Sequence, residues 1–317
     1  MLTLENVRLE GQHLSYSDTR TLDESLHDLF MGRGRPLRLA VVRAEKRAFN
    51  IVEADVEVAM VTDSSLPPYP LAKKLLHGKR LVTKRPVIMH VVPTGVGAAL
   101  GGALGDAMPV NKILTHLGLL VTHPNTCNGG PLNAGNYESG EIMYVEGGAL
   151  TNFSKGHLFL EPVIGNRIGV IIDRGKEDTW ALDLAQNTIN HCQSHFGFPL
   201  VGIEITEKPV GGKALRSNKS RVMLGEVENI ETVIEAGRRL VSQGAQALAI
   251  FTFIDVPFYF WLNYFAEGNF DKDDAMPNPV GTVEALISHI LSRYFGIPSA
   301  HAPLLYKNDR DFLQNCG

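Results

Sequence analysis

A chain of 317 residues with 30 Lys and Arg against 34 Asp and Glu has a formal net charge of -4, which gives no electrostatic reason to expect nucleic acid or an anionic membrane as partner. Hydrophobic residues at 44% and charged residues at 20% are ordinary for a soluble globular protein with one large α/β domain or two modest ones. Three cysteines (Cys127, Cys192, Cys316) without metal-type spacing argue against both a disulfide framework and a zinc site. The opening MLTLENVRLEGQ has no basic region followed by an apolar run, so no signal peptide is expected, and the longest apolar runs are strand-sized. A reduced, cytoplasmic setting is the expectation.

In chain order, residues 1–30 are polar and mixed, with a capped helix start at 21–26 (TLDESL). Segments 37–44 (LRLAVVRA) and 50–61 (NIVEADVEVAMV) carry β-branched residues in partial alternation, the pattern of strands with one solvated face. Pro67, Pro68 and Pro70 break the pattern before a short helix at 71–77. Residues 1–80 are therefore read as an antiparallel α+β portion, a lid or a dimer arm, and residues 81–317 as the α/β domain.

The second portion opens with the most informative stretch, residues 86–130. A buried strand at 87–92 leads into a loop with five glycines between Gly95 and Gly105. A helix at 107–117 and a strand at 119–122 follow, ending in His123-Pro124-Asn125. Such a βαβ unit is right-handed and sends the loops after its strands to one edge of the sheet. Strands are then predicted at 142–145, 167–172, 200–205 and 247–254, and helices at 177–195, 227–243 and 281–295. Between them lies a basic, glycine-containing loop at 208–221. Five or six alternations predict a mostly parallel, doubly wound, Rossmann-like sheet covered on both faces.

Chemistry concentrates at the predicted strand ends. Glycines between a strand and a helix let backbone N–H groups approach an anion, so Thr94, Gly95 and Gly97, with Asp106 in the same loop, are candidate substrate-binding residues. The loop lacks the third glycine of the dinucleotide fingerprint and the Gly-Lys-Ser/Thr of a Walker A loop. His123, fixed before Pro124, is the candidate general acid/base, with Asn125 and Asn128 to orient it or to bind substrate oxygens. Glu146 and Asp173, at strand termini, are its candidate catalytic partners. Glu204 sits within a strand and reads as a pairing residue.

Cys127, in the same turn as Asn128, would need a second thiol to act as a two-cysteine racemase does. Cys192 lies mid-helix, where packing explains it. The acids with His123, His289 and His301 would make a two-histidine, one-carboxylate site for a divalent metal, yet no HxH or HExxH pair is present. His289 is embedded in an apolar helix and reads as a core histidine. His301, after a Gly/Pro break, reads as more exposed and substrate-binding. Arg216, with Lys213, Lys219 and Arg221, would close over an anionic ligand as a mobile lid. The aromatic run 258–265 reads as core or as a homodimer interface.

Four blocks in one order, PTGVGAALGGALGDAMP, THPNxxN at 122–128, YVEG at 144–147 and VEALISHILSRYFGIPSAHAP at 283–303, resemble an uncharacterised family of bacterial, including cyanobacterial, and plastid proteins. The resemblance covers roughly residues 85–305. It implies a soluble cytosolic or stromal protein and brings no activity with it. Members of that family do not require cysteine in the THPNxxN turn, which further weakens Cys127 as a nucleophile. The resulting expectation is an isomerase, lyase or hydrolase acting by acid–base chemistry on a small carboxylate- or phosphate-bearing metabolite. A non-catalytic metabolite sensor and a metal-dependent hydrolase or lyase are the alternatives.

Overall fold

Among the described residues, strand-forming sequence distributes over three sheets. A computed structural model of the chain describes residues 3–17, 25–26, 28–30, 33–62, 86–91, 108–123, 142–161, 163, 165–175, 179–265, 276–304 and 306. The helix read at 71–77, most of the one at 21–26, and the glycine loop lie outside the described residues.

The first sheet is antiparallel, in the order β1 (Leu4–Ser15), β3 (Ile51–Val61), β2 (Arg35–Ala48). β1 lies in the segment read as polar and mixed, because Leu4, Val7, Leu9 and Leu14 do not keep a two-residue alternation through its polar sequence. β3 runs through the middle and buries Ala54, Val56, Val58 and Met60 against Leu14 and Phe30. Its other face carries an ionic network in which Arg43 bonds Glu45, Glu53 and Asp55.

The second sheet is parallel and small: β4 (Val87–His90), β5 (Leu119–Thr122) and β6 (Ile142–Tyr144), in that order. α1 (Met108–Leu117) connects β4 to β5, as the βαβ reading requires. α2 (Gly147–Ser154) follows β6. The register sets His90 beside Thr122 and Thr122 beside Tyr144, so the three strands end level at one edge.

The third sheet holds six strands. β7 (Ile168–Ile172), β8 (Leu200–Ile205), β11 (Ala247–Asp255) and β12 (Ser299–Leu304) are parallel and lie in the order β8-β7-β11-β12. Successive residues of β7 and β11 serve opposite faces, as strand geometry dictates. Val170, Ile172 and Phe253 meet Ala181, Ala185 and Ile189 of α3 (Thr179–Phe196). Ile171, Leu248, Ile250 and Ile254 meet Val233, Ala236 and Leu240 of α4 (Ile230–Ser242) and Val283, Ile287 and Ile290 of α6 (Gly281–Phe295). On α3, Ala181 and Ala185 face the sheet, while Leu184 is exposed.

The chain is therefore a mixed α/β protein whose parallel strands fall into two sheets instead of one. Adjacency of strands is a long-range property that local periodicity does not encode.

The basic stretch predicted as a mobile lid is ordered sheet. β9 (Gly212–Arg216) and β10 (Met223–Val227) form an antiparallel hairpin whose first strand joins β11 at Ile254 and Asp255. Its tip bonds the first sheet. Glu57, buried on β3, accepts hydrogen bonds from Arg8 Nη1 at 2.7 Å and Ser217 Oγ at 2.7 Å, and from Ser220 Oγ. Asn6 Nδ2 donates to Gly225 O at 3.0 Å, and Lys219 reaches Glu10 at 2.8 Å. Burial alone would raise the Glu57 carboxyl, but Ser220, Ser217 and Arg8 outweigh it and hold it below its ordinary value.

The aromatic run forms α5 (Phe258–Phe265), with Phe260, Trp261 and Tyr264 in the core and Phe258, Tyr259 and Leu262 exposed. Among the described residues, no helix is long and apolar enough to cross a membrane.

Candidate functional site

The level ends of β4, β5 and β6 gather the polar groups that the sequence scattered over 57 positions from His90 to Glu146. Thr122 Oγ1 donates to His90 O at 2.8 Å, and Val145 N donates to Thr122 O at 2.8 Å, tying the three ends together. His123 is the next residue along β5 and is buried.

Glu146 stands one strand away, as the residue that begins α2. Its carboxylate accepts from Gly148 N at 2.9 Å and from Ala149 N at 2.9 Å, satisfying two N–H groups that a helix start leaves open. The same carboxylate forms an ion pair with Nδ1 of His289, which comes from α6. Glu146 is only 3% exposed at its side chain and His289 17%, so part of the imidazole remains reachable. Burial alone would raise the Glu146 carboxyl; the charge and hydrogen bond of His289, with the two amides, outweigh it and hold the group below its ordinary value. His289 packs close over the start of α2: a Cβ at Gly147 would meet its Cε1 at 3.6 Å, an ordinary van der Waals contact.

Of the residues singled out from sequence, Glu146 and His123 thus share an edge. His289, read as a core histidine, joins Glu146 instead. The signal that would have found it was the pairing of YVEG with SHILSR, which only tertiary structure reveals.

Asp173 belongs elsewhere. It ends β7 in the large sheet and is 1% exposed. Its Oδ1 accepts from Gly175 N at 3.0 Å and Val210 N at 3.0 Å, its Oδ2 from Phe253 N at 3.1 Å, and Thr206 adds a side-chain hydrogen bond. Burial pushes this carboxyl above its ordinary value, and the donors offset that only in part. A carboxylate committed to three backbone N–H groups is a fastening, and the geometry assigns it no share in the His123 edge.

His301 is likewise internal. Its ring is 1% exposed, correcting the more open position expected of it. Nε2 lies 2.7 Å from Thr252 Oγ1, and Nδ1 lies 3.6 Å from Glu284 Oε1 of α6. Deleting the ring leaves a cavity and an orphaned hydroxyl between β11 and β12. His301→Ala should lose about 2–4 kcal/mol in urea denaturation, against less than about 1 kcal/mol for a surface histidine.

Arg216 donates through Nε to Arg221 O at 2.9 Å within the hairpin, and Lys213 pairs with Glu228. Neither makes the lid over an anion that the basic run suggested. Glu204 pairs with Arg239 of α4 at 2.7 Å. The Cys192 thiol is half-buried on α3. Thr94, Gly95, Gly97, Asp106, Asn125, Cys127 and Asn128 lie outside the described residues. Among the described residues, no three His, Cys, Asp or Glu side chains gather as a metal site.

A family model described as "Protein of unknown function (DUF3326)" matches residues 87–313. The chain belongs to this family. The resemblance read from the four sequence blocks is thereby borne out, and β1, β2 and β3 lie ahead of the matched residues. An uncharacterized lipoprotein of Synechococcus sp. is 33% identical over 217 residues, covering 68% of this chain and 57% of that protein. The chain thus spans a little over half the length of the curated relative it matches. No solved structure matches the chain. The relative's name corrects the cytoplasmic setting expected from sequence, since a lipoprotein is held at a membrane by its lipid.

Proposed function

We propose that this chain is a small-molecule enzyme in which the Glu146–His289 couple handles a proton on a carboxylate- or phosphate-bearing metabolite. The observation that carries this reading is the buried ion pair at the carboxyl edge of the small parallel sheet, one strand from His123. A carboxylate fixed by two amides and bonded to Nδ1 settles the tautomer and orientation of an imidazole, leaving Nε2 to exchange a proton with substrate. Positioned acid–base groups of this kind contribute on the order of 10²- to 10⁴-fold. The order of the chain adds to the support. The glycine loop, with Thr94, Gly95, Gly97 and Asp106, follows β4 in sequence, and Asn125 and Asn128 follow β5, the two strands whose ends lie level beside His123. These are the groups that would hold the anionic end. Isomerisation, elimination and hydrolysis are the reaction classes such a set serves.

The strand order β8-β7-β11-β12, with α3 on one face and α4 and α6 on the other, supports a doubly wound, Rossmann-like reading of the large sheet. In such a sheet the crevice opens where the order reverses, between β7 and β11. Here the Asp173 carboxylate and the backbone of Val210 fill that point, which favours the small sheet as the ligand edge.

The test is a panel of small carboxylates and phosphate esters, screened by thermal shift and then for turnover. His289→Gln and His123→Ala should abolish turnover of any hit while circular dichroism still shows a folded protein, at a melting temperature lowered by the loss of the buried pair and of the buried ring. Undiminished turnover in both variants would end the proposal; ligand binding without turnover in the parent would make the chain a sensor.

A further inference from the structure

A second cluster of imidazoles lies far from that edge in the sequence and is absorbed by nothing described so far. On α3, Ala181, Ala185 and Ile189 face the sheet at i, i+4, i+8 spacing, which turns the positions two and six beyond Ile189 outward. Those positions are His191 and His195, both exposed in the last turns of the helix. Four residues apart, they stand one above the other on a single helix face. Their rings lie almost parallel, 7° apart in plane, with centroids 5.8 Å apart. Phe196 meets the His195 ring edge-on at 4.5 Å and restricts its rotation.

We propose that His191 and His195 chelate a borderline divalent transition-metal ion, Cu²⁺ more tightly than Zn²⁺. An i, i+4 histidine pair presents two imidazoles from one face of a helix, the arrangement by which helical zinc sites hold their metal. Imidazole suits Cu²⁺, Zn²⁺ and Ni²⁺, and the affinity order puts Cu²⁺ first. The pair occupies the carboxyl end of an 18-residue helix, where the aligned peptide dipoles favour a cation. Asn187, one turn earlier and also exposed, continues the same stripe with an oxygen donor. With two protein ligands, water completes the coordination shell. The chelate ties one helical turn to the next, so it raises the resistance of α3 to fraying as well as binding the ion. The inference is independent of the Glu146–His289 couple and stands or falls separately from it.

The experiment titrates CuSO₄, and separately ZnCl₂, into the full chain prepared without an affinity tag, with binding read by calorimetry and by the nitrogen hyperfine pattern of Cu²⁺ in electron paramagnetic resonance. The parent should take up one equivalent of Cu²⁺ with two nitrogens in its spectrum, and its melting temperature should rise. His191→Ala and His195→Ala should each weaken uptake by at least the roughly 10- to 100-fold that loss of even an outer-shell partner costs, with the helix content unchanged by circular dichroism. His13→Ala, on the exposed part of the first sheet, should leave uptake as it was. Affinity should fall on acidification, because protons compete for the same nitrogens. Absence of stoichiometric uptake by the parent would overturn the proposal. So would uptake that survives either substitution on α3, or that His13→Ala reduces equally.

Discussion

Asp173→Ala is expected to lose about 3 kcal/mol or more of stability, because three buried backbone N–H groups each forfeit an acceptor at roughly 1–3 kcal/mol. Those donors, Gly175, Val210 and Phe253, belong to the segment leaving β7, the approach to β9, and β11 itself. The carboxylate is thus the point where three parts of the large sheet are joined. Gly175 sits there at a φ of +62°, and a Cβ on it would come within 2.5 Å of the Phe253 ring, so the turn has no slack to rearrange. Asp173→Asn should recover only part of the loss, since its NH₂ would face one of the same donors. The pH dependence has a definite sign. Burial raises the folded carboxyl above its unfolded value, so Asp173 contributes most below that value, and its contribution declines as pH rises through the raised folded one. Denaturant midpoints of parent and variant across the acid range check this. A variant that keeps its stability and loses only turnover would return Asp173 to the catalytic role that its strand-end position suggested.

Glu146→Ala should cost about 3–5 kcal/mol, the usual result of removing one partner from a buried ion pair. Two amides of α2 lose their acceptor, and His289 loses the carboxylate that orients it. The link between the small sheet and α6 weakens with it. Here the sign is opposite to that of Asp173. The Glu146 carboxyl is held below its ordinary value, so its contribution is fully present above the unfolded carboxylate value and is lost as pH falls through the lower folded one. The stability difference between parent and variant should therefore be flat at neutral pH and narrow on acidification. Chemical denaturation at neutral and acid pH measures both limbs, and a difference that widens on acidification would contradict the pairing.

Local pattern carried the elements further than it carried their neighbours. β8 was placed at 200–205 and found there, because LVGIEI is bounded by Pro199 and a turn. The βαβ unit at 87–122 was legible from its alternation, and the antiparallel start from its β-branched residues. What local pattern omits is partnership. Lys213, Arg216 and Lys219 looked like a solvated loop because charges outnumber apolar groups there; yet Ala214 and Met223 supply the buried face of a hairpin, and Glu57, 160 residues before Ser217, holds its tip. Asp173 and Glu146 look alike as acids ending strands. One is saturated by backbone donors and the other retains an imidazole, a distinction made by residues 37 and 143 positions away. His289 was hidden for the same reason: an apolar helix surrounds it in sequence, and its carboxylate comes from another sheet.

The most direct test of the working couple follows the His289 ring itself. In ¹⁵N-histidine-labelled protein, the His289 nitrogens are assigned by their disappearance in His289→Gln, and their resonances are followed as a compound turned over by the parent is added in its unreactive analogue form. Nδ1 should carry its proton toward Glu146, and the Nε2 resonance should shift on saturation with ligand. An Nε2 signal unmoved by a ligand that is demonstrably bound, or an Nδ1 without its proton, would contradict the working couple.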